Sequence, residues 1–145
     1  MDEYKDLLEE DTLKGKYLTF KIGNEEYGIA ISYVKEIIGI QKITPVPKIP
    51  NYIKGIINLR GLIVPVMDVR LRLGQDFREY DDRTCIIVIE TNGILAGLIV
   101  DHVSEVVSIE DEEISSIPDG FSQKYFMGIA KMQNKVKLLI DCESL

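Results

Sequence analysis

Apolar residues in this chain fall in short runs rich in Ile and Val, broken by Gly, Pro and Asn. That punctuation predicts strands joined by tight turns, with little helix. The pattern places hairpins at 17–22 with 26–31 and at 85–91 with 94–100. Asn92-Gly93 is the strongest turn signal, since both residues tolerate positive φ; Gly23-Asn24 serves the first hairpin, and Arg60-Gly61 tips a third. Helix is expected only near 32–38, after Asp68 as far as Gly74, and near 110–116. Pro65 belongs at an edge, bend or bulge. "TPVPKIP" (44–50) is expected to cross the surface as extended chain without joining a ladder.

The same pattern occurs twice. "FKIGNEEYGIAISYVKEII" (20–38) lines up with "IETNGILAGLIVDHVSEVV" (89–107), setting Gly28 on Gly97, Glu36 on Glu105 and Ile37 on Val106. Ser32 and Asp101 also correspond, and both are N-cap types. "YIKGIINLRGLIVPVMDV" (52–69) then lines up with "YFMGIAKMQNKVKLLIDC" (125–142), setting Tyr52 on Tyr125, Gly55 on Gly128 and Asp68 on Asp141. Each copy reads as strand, turn, strand, helical turn, then a closing hairpin. Short strands with such spacing predict an all-β protein of two small closed barrels, because closure removes exposed sheet edges. Residues 1–15 read as an acidic tail or marginal helix. Residues 16–145 read as one domain with subdomains near 16–80 and 81–145, exchange of strands at the boundary being left open.

Composition narrows the chemistry. The formal net charge of −7 lacks the basic footprint that nucleic acid or an anionic membrane needs. No apolar run reaches the ~18 residues of a membrane span, and no secretory signal is present, so the expected location is cytoplasmic. Cys85 and Cys142 have no metal or redox spacing and read as reduced, buried thiols. His102 is the only histidine, and no glycine-rich phosphate loop or calcium loop occurs, so no cofactor, metal or catalytic residue is expected. The paired Asp68 and Asp141 suggest an aspartic-protease arrangement, but the residues after them do not fit, and both are well placed to cap helical turns. A binding module remains. The copies differ at their closing tips: Arg60-Gly61 in the first, Gln133-Asn134 in the second.

Three stretches together, "NEEYGIAISYVKEIIG", "IPNYIKGIINLRGLIVPVMDVRLRLG" and "GLIVDHVSEVVSI", resemble the CheW family of chemotaxis coupling proteins. The likeness runs from about residue 16 to the end. It implies two SH3-like five-stranded barrels and a non-catalytic adaptor, monomeric when free. The implied partners are the cytoplasmic tip of chemoreceptors and the regulatory domain of the CheA histidine kinase, a domain of the same fold. The protein would then be recruited from the cytoplasm to receptor arrays. A receptor helix would lay apolar anchors between the barrels. The family motifs carry a receptor-side role onto Val34, Glu36, Gly55 and Arg60, and assign no single kinase-binding residue. Each has a plainer reading: Val34 as core, Gly55 as a backbone requirement, Glu36 with Arg60 as an internal ion pair. Two other functions stay open here: an adaptor of a non-flagellar chemosensory pathway, and a small-molecule-binding barrel.

Overall fold

The computed structural model describes residues 13–118, 124–132 and 134–145. Gln133 and residues 1–12 of the expected tail lie outside the described residues. The strands are β1 (Lys16–Ile22), β2 (Glu25–Ala30), β3 (Val34–Gly39), β4 (Ile53–Leu59), β5 (Leu62–Asp68), β6 (Cys85–Thr91), β7 (Ile94–Val100), β8 (His102–Ser108), β9 (Ile114–Ser115), β10 (Phe126–Met132) and β11 (Lys135–Ile140). A one-turn helix, α1 (Val69–Arg72), follows β5. Single 3-10 turns sit at Ile31–Tyr33, Asp111–Glu113 and Cys142–Ser144.

Both predicted hairpins form, β1 with β2 and β6 with β7. The helical reading of 32–38 does not hold. Only Ile31–Tyr33 turns, and Val34–Gly39 is a strand, as is the equivalent His102–Ser108. Burial along β3 alternates residue by residue, the period of a strand with one face inward. Ser32 makes no cap, and Asp101 stands between two strands, where its carboxylate serves other partners described below. Asp68 does cap as expected: its carboxylate accepts from the Leu71 amide, and Gly74 leaves the turn at φ 81°.

The strands order as β8-β1-β2-β11-β10-β9 in one sheet and β3-β6-β7-β5-β4 in the other. Leaving out the two-residue β9, the sheets have one topology, and neither is drawn from one half of the chain. Each consists of the first hairpin of one copy and the last three strands of the other. The exchange therefore reaches well beyond the boundary between the halves. At each junction a parallel pair forms, β11 with β2 and β5 with β7. The equivalent glycines Gly28 and Gly97 sit at those junctions, opposite Leu139 and Val66. At Gly97 a Cβ would press on Ile86 and Val66 at 2.8 Å, so the parallel strand can approach only because no side chain is there.

Pro65 precedes the β5–β7 ladder, which starts at Val66, so its missing amide takes nothing from it. Thr44 departs from expectation: it forms an isolated bridge with Ile56, exchanging two backbone bonds of 2.9 Å along the outer edge of β4. The largest buried cluster lies between the sheets. Leu18, Phe20, Ile22, Tyr27 and Ile29 of one sheet meet Ile87, Ile89, Leu98 and Val100 of the other, with Val69 and Ile140. The five-stranded sheet also encloses its own core of Ile57, Leu59, Val64, Val66, Ile86, Val88 and Ile99. Cys142 is buried, its thiol pushed up to about 12 by burial and by neighbouring acids, whereas Cys85 is only half-buried.

Candidate functional site

Of the four residues singled out in the sequence, two meet directly. Arg60 lies at the tip between β4 and β5, and Glu36 lies on β3. β3 and β4 are the two edges of the five-stranded sheet, so a contact between Glu36 and the β4–β5 tip spans its open side. The guanidinium donates from Nη1 to Glu36 Oε1 at 2.8 Å and from Nη2 to Oε2 at 2.5 Å. This is the two-pronged fit of a planar guanidinium to a carboxylate. The ion pair that the residues suggest forms, but it is not internal: the Arg60 side chain is 70% exposed and that of Glu36 28%. The hydrogen bonds from Arg60 hold the Glu36 carboxyl below the usual glutamate range.

A bulge aims Glu36. Val34 pairs with Ile89 and Glu36 with Val88, leaving Lys35 as an extra residue whose ammonium meets Glu90 at 3.1 Å. The second copy repeats the bulge at Ser104, between Val103 opposite Phe20 and Glu105 opposite Thr19. Glu105 has no described arginine there; it lies 3.9 Å from Lys137, which is buried beside Glu26. Position 137 corresponds to Val64, a core residue of the other sheet, so one repeat position holds a methyl-bearing side chain in one barrel and an ammonium in the other.

Val34 and Gly55 stand apart from the ion pair. Val34 is partly buried and packs on the core between the sheets. Gly55 is buried with φ 142°, and a Cβ there would run into the Thr44 carbonyl. A residue with a side chain would be strained as well as obstructed. Gly55 therefore supports the β4 edge through its backbone. The exposed apolar side chains at this end are Leu62 and Ile63, 56% and 63% exposed just after the tip, and Ile37 on β3.

Sequence reasoning missed a polar joint beside α1. Asp101, between β7 and β8, accepts from the Gly23 amide at 2.6 Å, from Arg70 at 2.5 Å and from Arg78 at 3.2 Å. Burial opposes its charge, but the Gly23 amide and Arg70 outweigh that and lower its pKa. Arg72 lies over both repeat-related tyrosines, 4.3 Å from the Tyr52 ring and 4.7 Å from Tyr125. The equivalence of the tyrosines was the available signal. The aspartates of the protease idea are structural: Asp68 also accepts from Tyr80, and Asp141 accepts from Glu143 and Ser144. Among the described residues no group of acidic, His or Cys side chains could hold a metal, and no helix is long and apolar enough to cross a membrane.

Comparison with known proteins agrees with this architecture. The family model described as CheW-like domain matches residues 16–145. The chain is 37% identical over 138 residues to the chemotaxis protein CheW of Klebsiella aerogenes, covering 93% of this chain and 83% of that one. It is 37% identical over 133 residues to CheW of Bacillus subtilis, covering 90% and 85%. The crystal structure of the scaffolding protein TtCheW from Thermoanaerobacter tengcongensis superposes with a TM-score of 0.83 at 38% identity, covering 88% of each chain. The two sheets are thus the SH3-like barrels that the resemblance implied.

Proposed function

We propose that this chain, which belongs to the CheW family and is a non-enzymatic scaffold of chemotaxis signalling, couples receptors to a kinase. In this reading the end of the five-stranded barrel that carries Arg60 and Glu36 receives the cytoplasmic tip of a chemoreceptor. A separate surface receives the regulatory domain of the CheA kinase. The observation that carries the reading is the two-pronged Arg60–Glu36 contact, exposed and set across the barrel's two edge strands. A stabilising surface ion pair contributes little on its own. Placed beside exposed Leu62 and Ile63, it instead offers a fixed polar feature next to apolar area, the composition of a helix-docking surface. Val34 contributes the part of its side chain not committed to the core, and Gly55 shapes the edge from beneath.

The test is calorimetric titration of the intact protein with a receptor-tip fragment and, separately, with the kinase regulatory domain. Both should bind. Arg60→Ala should weaken receptor binding at least tenfold and change kinase binding less than threefold. Equal loss toward both partners, or no loss toward the receptor, would remove this surface from the receptor contact.

A further inference from the structure

Arg60 occupies a backbone position that its residue type does not favour. Its φ is 51° and that of Gly61 89°, close to the 51° and 79° of Asn92 and Gly93 at the β6–β7 tip. Asn and Gly adopt this left-handed turn readily, whereas arginine does so rarely. A neighbouring contact compensates: the Asn58 Oδ1 accepts from the Gly61 amide at 2.7 Å, bridging the tip from the strand side. That acceptor is specific to this copy. The equivalent position in the second copy is Lys131, which has no acceptor to offer, and its tip carries Asn134 at φ 66°.

We propose that Asn58 is the positioning residue for Arg60. By fixing the Gly61 amide it holds the tip in the turn that aims the guanidinium across the barrel at Glu36. Arg60 and Asn58 then form one device: a base at a costly position, and the side chain that keeps it there. The proposal rests on the receptor reading only for its consequence in binding; the aim of Arg60 is a property of the free protein.

The experiment follows the Glu36 carboxyl by carbon NMR through an acid titration of the full chain, beside receptor-tip binding. In the parent protein Arg60 holds the Glu36 midpoint below the usual glutamate range. Asn58→Ala should raise that midpoint toward the ordinary value, in the direction of Arg60→Ala, and weaken receptor binding at least threefold. Asn58→Ser, which keeps a weaker acceptor, should fall between parent and alanine variant on both measures. Position 58 is exposed, so both variants should fold. A Glu36 midpoint that stays at its parent value in Asn58→Ala overturns the proposal, whatever binding does. A midpoint that rises while receptor binding holds supports the positioning role and counts against the receptor reading instead.

Discussion

Single residues divide here between those fixed by backbone geometry and those fixed by charge. Gly55 is of the first kind. Its φ of 142° and the Thr44 carbonyl facing it leave no room for a methyl group. Gly55→Ala should destabilise the fold by roughly 3 kcal/mol or more, read as a lowered urea midpoint. Receptor binding should fall only as far as the β4 edge is displaced. Asp101 is of the second kind. Because its folded pKa is depressed, the stability it contributes is present above the pKa of the unfolded chain. That stability is lost as pH falls through the lower folded value. Asp101→Asn should therefore flatten the acid limb of a stability–pH profile, and cost about 1–3 kcal/mol near neutrality by weakening its bonds to Gly23 and Arg70. An unchanged acid limb would mean that other carboxylates set it.

At the scale of elements, the repeat governs what could be read in advance. Turn chemistry located both first hairpins, since Gly23 and Asn92-Gly93 demand positive φ. Asp68 announced its helical turn in the same way. The reading of 32–38 failed because Ser32 is an N-cap type, while the alternation of Val34, Glu36 and Ile38 with Lys35 and Ile37 fits a strand. Pairing with β6 decided between them, and pairing is not a local property. For the same reason the bulges at Lys35 and Ser104 were invisible, although both recur in the repeat. The approach of Glu36 to Arg60 could be guessed from residue types. Its exposure could not, because exposure depends on which edges of the sheet face each other.

The whole molecule is held as one body by the exchange of hairpins. Neither half of the chain owns a complete sheet, and the main core joins side chains from both. Thermal unfolding should accordingly be one cooperative transition, with tyrosine fluorescence and far-UV circular dichroism coincident. Two separated transitions would show that the barrels are energetically independent. A rigid body of this kind suits a scaffold, which must present two surfaces in a fixed relation. In the proposed coupling role, one of those surfaces is the barrel end where Arg60 meets Glu36. A double-mutant cycle of Arg60→Ala and Glu36→Ala, measured as affinity for a receptor-tip fragment, examines that assignment. Each single variant should lose most of the binding, and the double variant should lose little more. Losses that multiply, or none at all, would show that Arg60 and Glu36 do not meet the receptor as a unit.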